Sequence, residues 1–109
     1  MNESVRTPKP PILIELGGDI DLANAEALGD SLCAAIDRSR CDIVVDMTEV
    51  PFLDSSAMAM MIRVHRAAAG HESRVTWRGV QPFPTRALAI AGLDRTLLFD
   101  TLATSANSS

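Results

Sequence analysis

The chain has 109 residues, 47% hydrophobic and 22% charged, with a formal net charge of −4. That length fits one domain able to bury roughly two-thirds of its unfolded surface without staples, and the ordinary charged fraction excludes global disorder. The acidic total argues against a generic binder of nucleic acid or anionic membrane, and a single lysine, Lys9, against nine arginines excludes lysine chemistry within the folded body.

Residues 1–11 are polar and hold Pro8, Pro10 and Pro11, which predicts a loose arm, with Val5 a candidate for a short edge strand. Residues 12–16 are mostly apolar and rich in isoleucine. They read as a strand that breaks or bulges at Gly17-Gly18 and resumes as Asp19-Ile20-Asp21. Asp21 is the expected N-cap of a helix over 22–39, where Ala25, Leu28, Leu32, Ala35 and Ile36 recur at helical steps. Glu26, Asp30 and Asp37 fall on its solvated faces. Residues 41–47 hold the run Ile43-Val44-Val45, which suits a central strand covered on at least one side.

A loop over 48–54 contains Pro51 and Phe52. A second helix is predicted over 55–69, ended by Gly70, with Ala57, Met60, Met61, Val64 and Ala68 as its apolar stripe and Arg63 and Arg66 toward water. Residues 74–80 form a third strand with Val75 and Trp77 on one face. A short helix over 84–91 ends at Gly92, a last strand covers 96–99, and 101–109 reads as a frayed tail. Strands alternating with helices imply an α/β fold: a four- or five-stranded, mostly parallel or mixed sheet with three to four helices packed on it. The crossover from the strand at 43–47 to that at 74–80 should be right-handed. No linker divides the chain, so one domain is expected over 12–100.

Few residues invite chemistry. Cys33 and Cys41 stand apart without metal-ligand spacing, and Cys33 falls on a helical stripe as a small hydrophobe, so neither a zinc nor a redox site is expected. No charged-then-apolar leader and no apolar run approaching 20 residues is found, which predicts a soluble protein of a reducing, cytoplasmic compartment. Asp54-Ser55-Ser56-Ala57 sits where a loop meets an apolar-periodic helix. The plain role is an N-cap; the functional one presents a serine hydroxyl to a partner. A hydrolase would need a base near Ser55, but His65 lies ten residues on, roughly 15 Å at 1.5 Å per residue, His71 lies farther, and no G-x-S-x-G elbow exists. Phosphorylation of Ser55 is physically coherent, because a helix start tolerates the added charge.

Asp19, Asp21 and Asp54 make a poor Mg²⁺ site without a substrate phosphate, and turn and cap roles suit them better. A phospho-receiver built on Asp46 would need a late lysine and adjacent acids, and both are missing. Gly17-Gly18 specifies no phosphate cradle. Arg74 and Arg78 around Trp77 suit solvated arginines about a packed tryptophan better than base stacking.

The order of elements and three local motifs resemble a STAS domain of the anti-sigma factor antagonist type. Gly18-Asp19-Ile20-Asp21-Leu22-Ala23-Asn24-Ala25 resembles that family's G-[E/D]-x-D segment entering the first helix. Val50-Pro51-Phe52-Leu53-Asp54-Ser55-Ser56-Ala57 resembles its apolar-x-D-[S/T]-S-G segment opening the second. Ala91-Gly92-Leu93-Asp94 resembles the turn after the third. The resemblance covers residues 12–99.

It implies a binding module, not an enzyme, without cofactor or metal. Ser55 matches the serine phosphorylated by an anti-sigma factor serine kinase. Asp19, Asp21, Asn24, Asp54, Ser55, Ser56 and Ala57 would form the partner-binding segments. The unphosphorylated protein would bind the kinase-type anti-sigma factor and release the sigma factor for transcription; phosphorylation would block binding, and a phosphatase would reverse it. Direct nucleic-acid contact and membrane insertion are not implied. Ala57 replaces the usual glycine, putting a methyl group where a partner comes close, and the N-terminal strand and C-terminal helix look short for the family. The other role open to such a domain is that of an accessory subunit of a membrane transporter, with the serine a cap or contact residue.

Overall fold

The computed structural model describes residues 9–100 and alternates strands with helices. The order is β1 (Ile12–Gly17), α1 (Ala25–Ser39), β2 (Ile43–Glu49), α2 (Ser55–Gly70), β3 (Val75–Arg78), α3 (Pro82–Ile90), a 3₁₀ turn at Leu93–Arg95, and β4 (Leu98–Asp100). The strands lie in the sheet in sequence order, β1-β2-β3-β4, and every pair is parallel. This is the expected α/β architecture, with four strands and three α-helices among the described residues.

Parallel strands in sequential order, with crossovers all of one hand as the rule for such units requires, carry every connecting helix on the same side of the sheet. Burial follows that geometry. Ile43, Val45 and Met47 on β2 and Val75 and Trp77 on β3 are fully buried, while the alternate residues Val44, Asp46, Thr76 and Arg78 are only half-buried. Leu13 and Leu98, on that same outer face at the two edges, are exposed.

α1 and α2 pack against each other over the inner face. The buried residues of α2 are the five of the predicted stripe, Ala57, Met60, Met61, Val64 and Ala68. α1 buries Ala25, Leu32 and Ile36 as predicted, and also Gly29, which the periodicity does not reveal. A Cβ at Gly29 would lie 3.0 Å from both Met60 Cγ and Arg63 Nη1, so the absent side chain sets how closely the helices cross. Arg63 reaches over this crossing to Asp30 at 2.6 Å, an exposed pair of small energetic value.

Element ends depart from the sequence reading for identifiable reasons. α1 begins at Ala25 instead of residue 22, because the chain first makes a turn over 22–24. β2 starts two residues later than expected and extends through Thr48 and Glu49, since a register shift after Glu15 lets Gly17 pair with Glu49. α2 includes Gly70, and the left-handed residue beyond it is Glu72 (φ 58°), not the glycine. α3 starts at Pro82, a proline at the first helical position, where its missing N–H costs nothing. β4 covers Leu98–Asp100, after the 3₁₀ turn takes up residues 93–95. The candidate strand at Val5 and the tail at 101–109 lie outside the described residues.

On the outer face, Asp46 accepts the Thr48 amide at 2.8 Å and lies 4.0 Å from Arg78. The Thr48 hydroxyl and amide, and then the Arg78 charge, hold its carboxyl below the usual range. A depressed folded-state pKa stabilises the fold above the unfolded value and loses that stabilisation as pH falls through the folded one. Asp46→Asn should therefore cost about 1 kcal/mol at pH 7. The difference from wild type should shrink as pH falls through the lowered folded-state value, as measured by urea unfolding across the acid range.

Candidate functional site

The C-terminal ends of the parallel strands carry the loops in which open α/β sheets place their binding sites. β1 ends at Gly17, and Gly18 turns the chain with φ +78°, a conformation that disfavours a side chain; its amide donates to Glu49 O at 2.9 Å. Ile20 then pairs with Leu53 in an isolated parallel bridge. Ile20 N donates to Phe52 O at 3.0 Å, and Asp54 N donates to Ile20 O at 3.2 Å. Ile20 and Leu53 are both buried and anchor the two loops in the core. The register of that bridge puts Asp19 level with Phe52 and Asp21 level with Asp54. Two stretches about thirty residues apart in sequence thus form one surface.

Asp54 is the N-cap of α2: its Oδ1 accepts the Ala57 amide at 3.1 Å, satisfying one orphan donor of the first turn. Ser55 follows as the first helical residue and is exposed, and its hydroxyl makes no hydrogen bond with the described residues. Ser56 is half-buried and lines a groove of about 290 Å³ between the starts of α1 and α2, together with Leu22, Glu26 and Met60. Removing the cap should be measurable. Asp54→Ala should cost about 1 kcal/mol of stability, and Asp54→Asn only a fraction of it, by thermal or urea unfolding.

A family model for the STAS domain, described as Mlab, matches residues 4–100. The chain belongs to the STAS domain family. Among solved structures, this STAS domain is similar to an anti-sigma factor antagonist of Thermotoga maritima, at TM-score 0.72 and 14% identity over 93% of this chain and 92% of that one. It is also similar to the anti-sigma factor antagonist SpoIIAA in its unphosphorylated form, at TM-score 0.63 and 16% identity over 87% and 83% of the two chains. A sulfate transporter family protein of Wolinella succinogenes matches at TM-score 0.69 and 18% identity over 89% and 83%. At such identities these likenesses concern the fold. No curated protein sequence matches significantly.

The STAS domain does not use all seven candidate residues alike. Asp21 does not cap α1; its Oδ1 accepts the Ala23 amide at 3.0 Å and its carbonyl accepts the Asn24 and Ala25 amides. Asn24, at the N-cap position, makes no capping bond from its side chain. It donates instead from Nδ2 to Asp19 O and accepts the Asp21 amide, both at 2.9 Å. Asn24 therefore holds the loop in shape. Ala57 is fully buried, so its methyl group lies in the core. Asp19, Asp54, Ser55 and Ser56 remain at the surface to varying degrees.

α2 runs unbroken from Ser55 past His65, which keeps that imidazole about 15 Å along the axis and leaves Ser55 without a base from it. Among the described residues no group of three His, Cys, Asp or Glu side chains is arranged to hold a metal ion. No helix among them is long and apolar enough to cross a membrane. The sequence reading left two exposed aromatics at this edge without a role, Phe52 and Phe83. The available signal was a phenylalanine directly after a proline, at Pro51-Phe52 and at Pro82-Phe83, outside any apolar periodicity.

Proposed function

We propose that this STAS domain is a cytoplasmic anti-sigma factor antagonist switched by phosphorylation of Ser55. The observation that carries the reading is the position of Ser55: exposed, its hydroxyl unpaired among the described residues, at a helix start whose cap is supplied by its neighbour Asp54. Because Asp54 and not Ser55 holds the first turn, a phosphoryl group can be added without removing a structural bond. The helix dipole and the first-turn amides favour the new charge, so the fold persists.

The surface changes far more than the fold. Phosphate adds about −1.5 to −2 charge at pH 7, beside Asp54 and the adjoining Asp21. A serine kinase bound here presents the phosphates of its nucleotide to the Ser55 hydroxyl. After transfer, phosphoserine faces both the carboxylates and the nucleotide left behind, and that repulsion, with the added bulk, opposes redocking. The unphosphorylated form would hold the anti-sigma factor and free the sigma factor for transcription, and a phosphatase would restore it.

Incubation with the cognate anti-sigma factor kinase and ATP should add one phosphoryl group by intact mass, and Ser55→Ala should add none. No mass gain on the wild type would overturn the switch. The likeness to the Wolinella succinogenes transporter-family protein supports a second reading, an accessory subunit of a membrane transporter. Under that reading Ser55 stays unmodified, and the chain co-purifies with an ATP-binding cassette subunit.

A further inference from the structure

Phe52, in the loop after β2, and Phe83, in the first turn of α3, stack on one another, with ring centroids 5.8 Å apart and planes 19° from parallel. They remain 39% and 53% exposed. Two large aromatic rings left half in water are costly for a monomer, whereas rigid aromatics of this kind supply most of the energy at protein interfaces. The pair is pre-organised. Phe52 is fixed through its carbonyl, which accepts the Ile20 amide. The loop before Phe83 is tied to the end of β2 by Gln81 Nε2, which donates to Thr48 O at 2.7 Å. Pro51 and Pro82, both exposed, stiffen the backbone immediately before each ring.

The surroundings state what a partner must bring. The loops after β1 and β2 hold Asp19, Asp21 and Asp54, and Glu49 closes β2. Across residues 17–25, 47–57 and 79–84 there is no lysine or arginine. Arg78, just before the third of these stretches, lies 4.0 Å from Asp46 on the outer face of the sheet. Arg86, a turn into α3, is the first cation beyond the aromatic pair. The platform is thus apolar at its centre and acidic along its β1–α1 and β2–α2 side.

We propose that Phe52 and Phe83 form a docking platform for an arginine-bearing segment of the protein partner. A guanidinium stacks on an aromatic face while its N–H groups reach neighbouring carboxylates, which a compact, strongly hydrated ammonium does less well. Complementary charge would also speed encounter and orient the partner. The proposal rests on reading this edge as the partner-binding surface, and it assigns affinity to the aromatic pair and switching to Ser55.

The test is selection of a random 12-residue phage-displayed peptide library on the full chain, followed by titration of synthetic peptides from the selected set. Selected peptides should be enriched in arginine over lysine. They should lose at least tenfold in affinity on Phe83→Ala and on Phe52→Ala, and should weaken as salt is raised. Phe83→Ser serves as a second variant, and circular dichroism melting verifies that each variant folds. Peptides that lack arginine, or that bind the variants as well as the wild type, would overturn the proposal. The switch is judged separately by the mass gain at Ser55: a phosphorylated protein with no arginine-selective platform sinks only this inference, and the converse result sinks only the switch.

Discussion

Ser55→Asp should weaken binding to the cognate anti-sigma factor by at least tenfold, about 1.4 kcal/mol, while leaving the fold intact. The two effects separate because the site divides its tasks. Asp54 supplies the capping bond to the Ala57 amide, so replacing Ser55 removes no hydrogen bond from the first turn. A carboxylate at the first helical position interacts favourably with the helix dipole, by about 0.3–1 kcal/mol. Thermal unfolding of Ser55→Asp should therefore match the wild type or slightly exceed it. Under the proposed switch the interface would suffer instead, because a third carboxylate joins Asp54 and Asp21 at the helix start. Ser55→Ala should retain binding and resist modification. Calorimetric titration of the three proteins with one partner preparation decides the matter. Full affinity in Ser55→Asp would sink the charge mechanism, and a fall in its melting temperature of several degrees would show that Ser55 holds structure after all.

The path by which this surface assembles explains what the residue pattern reveals and what it hides. The stripe of α2 is legible because five apolar residues at helical spacing all face one core, and the structure buries those same five. The Asp54 cap is legible because its partner is three residues away on the same chain segment. Asp21 looks like a cap by the same local logic. Its oxygen is instead captured by the Ala23 amide, and Asn24 then bridges Asp19 and Asp21, so the helix starts three residues later than expected. Nothing local chooses between those two outcomes.

Non-local features are less legible still. The approach of Asp19 and Asp21 to Asp54 depends on one backbone bridge between Ile20 and Leu53. The Phe52–Phe83 stack depends on β2 and β3 being neighbours, so that the loop after β2 meets the start of α3. Gly29 reads as a mild helix weakener until α2 is laid across it and a Cβ would press to 3.0 Å from Met60 Cγ. Family resemblance identifies the segments at the site. The structure shows which side chains in those segments are spent on holding loops and which stay exposed.

Trp77→Ala should cost about 3–5 kcal/mol, the largest loss expected from any single truncation in this chain. Trp77 lies on β3 with no exposure to solvent, paired in register with Val45 on one side and Phe99 on the other. The cavity would open in the middle of the sheet, under the helices, where rigid strands on both sides limit collapse. Against the roughly 5–15 kcal/mol of a whole domain, such a loss leaves a substantial unfolded population at room temperature. Trp77→Phe should behave differently. The indole Nε1 is buried without a hydrogen-bond partner among the described residues, a desolvation cost of about 1–3 kcal/mol that phenylalanine does not carry. Relief of that cost offsets much of the lost volume, so Trp77→Phe should fall within about 1.5 kcal/mol of the wild type, as volume-tolerant core changes do. Urea unfolding followed by far-ultraviolet circular dichroism compares all three proteins without relying on indole emission. In the wild type the same residue is the only tryptophan, so its fluorescence should move to longer wavelength in step with the dichroism as the sheet opens. A Trp77→Phe loss as large as that of Trp77→Ala would mean that the indole N–H is satisfied in solution, and that ring volume alone sets the stability of the sheet.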